Sequence, residues 1–107
     1  METAKDKLKK LTAAADEPVL TDGEIDELLA ASSLADVDEN SPESEDWSPT
    51  YDIAAAAAEG WMIKAARVAS TTETDPDSLN VTSRIFENCI RMAGIYSRKR
   101  SAGVKTI

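Results

Sequence analysis

Apolar residues recur every three or four positions through most of the chain, which is the spacing of one helix face and predicts an all-α fold. The most regular stretch is Thr50–Ser70, in which large apolar residues flank the alanine run Ala54–Ala58. It predicts one long helix capped by Thr50. Gly60 lies inside this helix at a cost of about 1 kcal/mol relative to alanine, so we expect close backbone packing there or room for Trp61.

A second long stretch, from Asp77 or Ser78 to about Lys99, has the same apolar period. Because only about seven residues separate the two stretches, we expect a long antiparallel helix hairpin at the centre of a small helical bundle. The residues predicted to pack in its core are Tyr51, Trp61, Met62, Ile85, Phe86, Cys89, Met92 and Tyr96.

The N-terminal part of the chain predicts two shorter helices. Thr21 and Glu24 match a capping box, and the helix that follows to about Ser32 should bury Ile25, Leu28 and Leu29. Residues 2–15 form a weaker candidate with only two large apolar residues, and a helix this short is marginal alone. We expect residues 1–17 to be peripheral, either frayed or lying against a neighbouring element.

Residues 33–48 are polar, acidic and rich in serine, which predicts a long loop. Trp47, near its end, should anchor the loop to the core; the alternative is an exposed contact in an interface. Asp36–Asn40 resembles the first half of a calcium-binding EF-hand loop, but Ser41 stands where a glycine is required and Trp47 where a glutamate is required. A calcium site is therefore not expected.

A chain of 107 residues suits one domain, here residues 1–100, followed by an extended tail over residues 101–107. Gly103 should end any helix, and Val104 and Ile107 are apolar and β-branched. The tail could therefore add as a strand to the sheet of another chain; the alternative is a frayed basic terminus.

Charge is divided unevenly along the chain, whose net charge is −8. Residues 16–59 hold 14 acidic residues and no lysine or arginine, whereas residues 60–107 hold eight basic and four acidic residues. This division suits association between copies through opposite charges, or else it is a solvated acidic loop with an ordinary basic end. Candidates for contacts between subunits, or for lining a lumen, are Asp36, Asp38, Glu39, Glu43, Glu45, Asp46, Arg91, Arg98, Lys99 and Arg100.

The residues needed for common catalytic chemistry are missing. Histidine is absent and Cys89 is the only cysteine, which excludes a disulfide framework and disfavours nucleophile–base catalysis and thiolate metal sites. Cys89 lies on the apolar face of a predicted helix, so we interpret it as a buried small residue. With no phosphate-binding glycine loop, we expect a non-enzymatic protein without cofactor or metal. A charged N-terminus and the lack of a long apolar run predict no membrane span and synthesis in the cytoplasm.

Four sequence patterns together resemble a known family. They are Pro18–Ile25, Trp47–Asp52, the alanine-rich stretch Ala57–Ala66 around Glu59-Gly60-Trp61, and the spacing of Cys89, Met92, Tyr96, Ser97 and Lys99. In pattern, size and helix order, Pro18–Arg100 resembles the small head–tail connector proteins of tailed bacteriophages, also called adaptor or head-completion proteins.

The resemblance implies a small helical bundle that assembles as a ring, usually twelvefold, beneath the portal at the DNA exit of the capsid. It implies that the C-terminal segment, here Ser101, Ala102, Gly103, Val104, Lys105, Thr106 and Ile107, reaches the portal protein. The other face would receive the tail or a stopper protein, and packaged DNA would pass through the ring. Asp36–Asp46 would line the lumen or face the next ring.

The residues leave a second function open. Arg91–Lys105 could bind nucleic acid phosphates, with the acidic half acting as an inhibitor or a mimic of the partner. The overall acidity and the lack of a basic face rich in aromatic residues disfavour this small nucleic-acid-associated or regulatory protein.

Overall fold

The computed structural model describes residues 3–74 and 79–99, and the side chains of these residues outside 71–82. The described residues form four helices: α1 (Ala4–Leu11), α2 (Asp22–Ala31), α3 (Ile53–Thr74) and α4 (Leu79–Lys99). No strand occurs in this part of the chain beyond an isolated bridge between Ser33 and Tyr51. The predicted small all-α bundle is confirmed.

Helix α3 is the central element. Near its middle, Trp61 and Ala65 pack against Cys89 of α4, whereas near its start Ala57 belongs to a cluster that contacts Tyr96. Residues later in α3 therefore contact residues earlier in α4, so the two helices form the predicted antiparallel hairpin. Helices α1 and α2 both pack on α3, but α4 packs against α3 alone among the four helices.

Two groups of buried side chains hold the bundle together. The larger group joins α1, α2 and α3 through residues such as Leu8, Ile25 and Leu28, together with Ala56 and Ala57 of the alanine run. The smaller group lies within the hairpin and consists of Trp61, Ala65, Cys89 and Ala93. The predicted buried face of α2 and the predicted burial of Trp61 and Cys89 are confirmed.

Side-chain caps fix where the shorter helices begin. Thr21 and Glu24 form the predicted capping box, in which the backbone N–H of each residue donates to the side chain of the other at 2.9 and 3.1 Å. Thr3 and Asp6 form an equivalent box at the start of α1, which the sequence analysis did not identify. Such boxes satisfy first-turn amides that otherwise lack partners.

The prediction that Thr50 caps the long helix is wrong. The Asp52 carboxylate accepts a hydrogen bond of 3.0 Å from the Ala55 backbone N–H, and the Thr50 hydroxyl instead donates to the Ser48 carbonyl. The helix therefore begins at Ile53 and continues to Thr74, rather than spanning Thr50–Ser70.

Two residues assigned to the core are exposed. Met62 is 45% exposed because it lies one position, or about 100°, around α3 from Trp61, which occupies the core. Phe86 is 38% exposed because α4 has only one neighbouring helix. The other predicted core positions, Tyr51, Ile85, Met92 and Tyr96, are half-buried.

Helix α1 is also part of the core rather than peripheral. Its Leu8 side chain is fully buried at 0% exposure, as is Thr12 just after the helix. The ion pairs Lys5–Asp26 and Lys9–Asp22, at 3.1 and 3.0 Å, connect its polar side to α2. Burial of one large side chain and these contacts stabilise a helix that is too short to be stable alone.

Gly60 permits α3 to approach the end of α1. A Cβ atom at this position would lie 2.8 Å from Thr12 Cγ2 and 3.4 Å from Cδ1 of both Leu20 and Leu28. Of the two explanations expected from the sequence, close packing applies, with side chains of Thr12, Leu20 and Leu28 rather than another backbone against Gly60. Gly94 differs, since a Cβ atom there would meet only Arg98 Nη1, at an ordinary contact distance of 3.6 Å.

Replacing Gly60 by alanine should destabilise the protein although it improves helix propensity. The propensity gain is about 1 kcal/mol, but crowding in a packed core costs about 1–3 kcal/mol, so we expect a net loss of up to about 2 kcal/mol. Urea denaturation measures the difference. Gly94→Ala is the matched control and should gain up to about 1 kcal/mol; a Gly60→Ala variant more stable than the wild type would contradict this account of the contact.

Candidate functional site

The described residues contain no cluster that points to metal chemistry. In residues 3–74 and 79–99, no three cysteine, aspartate or glutamate side chains converge closely enough to hold a metal ion. Over the same ranges, no helix has both the length and the apolar character needed to cross a membrane. The described residues that could form a site are buried polar groups, charged segments and exposed apolar surfaces.

Among the side chains that the structure describes, the most buried charged one is that of Lys64, which is 1% exposed. Its Nζ donates to the carbonyl oxygens of Ala13 at 2.6 Å and Asp16 at 3.3 Å, and it lies 4.7 Å from the centroid of the Trp61 ring. The Trp61 Nε1–H donates to the Leu11 carbonyl at 3.0 Å. Burial lowers the pKa of Lys64. The side chains of Trp61 and Lys64 thus cap the carboxyl end of α1 and the turn that follows.

That turn contains a residue in an unfavourable backbone conformation. Ala13 has a φ of 48°, in the left-handed region that glycine usually occupies. The backbone N–H of Ala13 donates to the Lys10 carbonyl, and that of Ala14 donates to the Lys9 carbonyl, which completes a Schellman-type helix end. Because Lys64 binds the Ala13 carbonyl directly, it stabilises this conformation.

A cavity of about 360 Å³ lies beside Lys64 and is also lined by Cys89 and Arg84. Burial raises the pKa of the Cys89 thiol, which therefore stays protonated and weakly nucleophilic. The Lys64 ammonium already donates hydrogen bonds to the carbonyl oxygens of Ala13 and Asp16. These properties suit a structural role for both side chains.

Replacing Lys64 by methionine should lower the free energy of unfolding by about 1–3 kcal/mol, because the Ala13 and Asp16 carbonyls lose their charged donor. Urea denaturation provides the measurement. The control is Lys7→Met on the exposed side of α1, which should change stability by less than about 0.5 kcal/mol. If the two variants were equally stable, Lys64 would have no capping role.

The acidic loop is organised around one buried carboxylate. Asp36 is 7% exposed, and its Oδ1 accepts the backbone N–H of Asp38 and of Asn40, both at 2.9 Å. Its Oδ2 accepts the Ser48 backbone N–H at 2.8 Å and Asn40 Nδ2 at 3.4 Å. Asp36 therefore connects the beginning of the loop to its end and does not present its charge as an open surface group. These hydrogen bonds, above all that from Ser48, lower the pKa of Asp36.

The base of the loop is closed by backbone bonds and by Trp47. The Trp47 Nε1–H donates to the Leu34 carbonyl at 2.7 Å, and its ring meets that of Tyr51 edge-to-face with centroids 5.8 Å apart. The Leu34 N–H donates to the Thr50 carbonyl at 2.8 Å. The expected anchoring role of Trp47 is confirmed, with Tyr51 connecting it to the core.

The remaining charged candidates of the loop are exposed: Asp38, Glu39, Glu43, Glu45 and Asp46. Of the basic candidates on α4, Arg91, Arg98 and Lys99 are exposed, and Lys99 lies over the Tyr96 ring at 5.7 Å. Arg100 and the predicted portal-binding tail Ser101–Ile107 lie outside the described residues.

The acidic loop and the basic end of α4 lie at the same end of the hairpin. The acidic loop leads into the start of α3, and the antiparallel packing brings the end of α4 to that same start, where Tyr96 contacts the cluster that includes Ala57. The division of charge along the sequence is therefore not a division between the two ends of the hairpin.

Replacing Asp36 by asparagine should open the loop, because one carboxylate oxygen becomes an amide nitrogen that cannot accept the Ser48 or Asn40 donors. Hydrogen exchange of the Ser48 amide measures the opening, and Asp38→Asn on the exposed side is the control.

The same contact predicts a dependence on pH. Since the folded-state pKa of Asp36 is lowered from 3.8, its stabilising effect is present above that value and is lost as the pH falls through the lowered pKa. The indole N–H signal of Trp47 should therefore shift in acid in the wild type and not in Asp36→Asn. An equal shift in both would show that another group controls the loop.

An apolar groove of about 510 Å³ runs between α3, α4 and the last turn of α2. Its floor is built from small residues, including Ala55, Ala58 and Gly94, and its sides include Met62 and Ile90. Both large side chains are exposed. The end of α2 borders the groove, but α4 packs on α3 alone, so none of the other described helices packs over it.

The sequence analysis did not identify the groove or the role of Lys64. Two signals were present. Ile90 lies four positions after Phe86, so the two form an apolar strip on α4 beside the predicted core face. Lys64 lies between Trp61 and Ala65 at buried positions of α3, where a lysine without a partner would be costly.

Comparison of the chain with protein-family models, curated proteins and solved structures finds no match. A functional assignment therefore depends on the surfaces described above and on the resemblance of the sequence patterns.

Proposed function

We propose that the protein is a non-enzymatic structural adaptor of a tailed phage virion, forming a ring in the neck between the portal protein and the tail or stopper protein. The observation that carries the proposal is the single-sided packing of α4, which leaves the groove with Met62 and Ile90 open on the hairpin. Exposed apolar surfaces of this kind mark interaction sites in small soluble domains.

The charge distribution supports the same class of function. The exposed carboxylates of the acidic loop would repel nucleic acid, so DNA could pass a ring of such loops without binding to them in a sequence-specific way. The order of the loop around Asp36 keeps these charges in a defined place. In the proposal, copies of this chain contact one another in the ring, twelvefold as in the connectors it resembles, after assembly in the host cytoplasm.

The proposal is tested by affinity capture from phage-infected cells with the full chain and a chain ending at Arg100. We expect the full chain to retain a protein identified as the portal by mass spectrometry, in a salt-insensitive way, and the shortened chain to lose it. Val37→Asp is the matched control, because Val37 is 96% exposed in the acidic loop and should not affect capture. Capture of the portal by neither chain would refute the adaptor function.

One observation favours a second function, a small nucleic-acid-associated or regulatory protein. Helix α4 exposes Arg84, Arg91 and Arg98. If the chain retained nucleic acid in place of the portal, with an affinity that falls steeply as salt rises, phosphate binding by α4 would become the better assignment.

A further inference from the structure

We infer that the groove between α3 and α4 binds the C-terminal segment of its own chain, residues 104–107, when the protein is free. The inference goes beyond the adaptor function and does not depend on it, because it concerns only the isolated molecule. It assigns an occupant to an apolar surface that would otherwise be in contact with water.

The groove lies beside the C-terminal end of α4. Ser97, in the last turn of α4, lines one end of the groove, and α4 is described up to Lys99. The chain thus continues from the mouth of the groove. Residues 100–103 would have to reverse the chain direction, and Gly103 supplies the backbone freedom that a tight reversal needs.

The groove and residues 104–107 also match in length. From Ser97 back to Ile90 the groove follows seven residues of α4, or about 10 Å at the helical rise. Four extended residues span about 13 Å, so residues 104–107 reach from one end of the groove to the other.

The side chains of the segment suit those that line the groove. Val104 and Ile107 are apolar, as are the exposed Met62 and Ile90, and the small side chains of the floor leave space for a peptide backbone. Burying such side chains against each other is favourable by about 25 cal/mol per Å² of apolar surface. The exposed Glu59 on the edge of the groove has a charge opposite to that of Lys105, the only charged side chain of the segment.

Disulfide trapping tests the inference on the full chain. Met62→Cys is combined with Ile107→Cys, because Met62 and Ile107 would both lie at the Ile90 end of the groove, and the control combines Val37→Cys with Ile107→Cys; the buried native Cys89 is kept in both. Under mild oxidation in dilute solution, we expect a disulfide within one molecule, at a rate independent of protein concentration, in the first variant and not in the control. Disulfide-linked dimers in place of this product, no disulfide, or equal formation in the control would overturn the inference.

A peptide of sequence Arg100–Ile107 provides a second measurement without new cysteines. It should bind the chain ending at Lys99, and binding to the full chain should be weaker by about tenfold or more, because the attached segment competes at a high effective concentration. Ile90→Arg in the shortened chain should abolish peptide binding, while Val37→Arg should not change it. Equal binding to the full and shortened chains, or binding to neither, would contradict occupation by the chain's own segment.

Discussion

The fold depends on how α3 binds the end of α1. A helix leaves its last carbonyl groups without partners, and here those groups are buried against α3. The Trp61 indole donates to the Leu11 carbonyl at the end of α1, the Lys64 ammonium donates to carbonyls of the turn that follows, and Gly60 allows α3 to approach closely enough for both contacts. One turn of α3 therefore converts a short, weak helix into a fixed part of the core and stabilises Ala13 in its left-handed conformation.

This arrangement also explains which surface remains open. Helices α1 and α2 pack on one side of α3. Helix α4 packs on the remaining side and has no second neighbour among the described helices. Met62 and Ile90 are exposed for that reason. The groove between them is a consequence of the bundle's construction, which is why we regard it as an interaction surface of the protein.

The acidic loop is a second ordered unit, and its order is compatible with carrying many like charges. The Asp36 carboxylate is buried within the loop, where backbone N–H groups stabilise it, whereas the other acidic side chains of the loop point to solvent. Since the hairpin is antiparallel, the basic end of α4 lies at the same end of the molecule as this loop.

The sequence determined the features that depend on near neighbours in the chain: helix periodicity, the capping box of Thr21 and Glu24, and the burial of Cys89. It placed both Trp61 and Met62 in the core, because both are apolar and a step of one residue turns the helix by only about 100°, whereas in the structure only Trp61 faces the core. Tertiary structure alone decided the capping role of Lys64, the burial of α1 and the existence of the groove. Each of these joins groups that lie far apart along the chain, and the free energy of such contacts depends on which surfaces meet rather than on local preference.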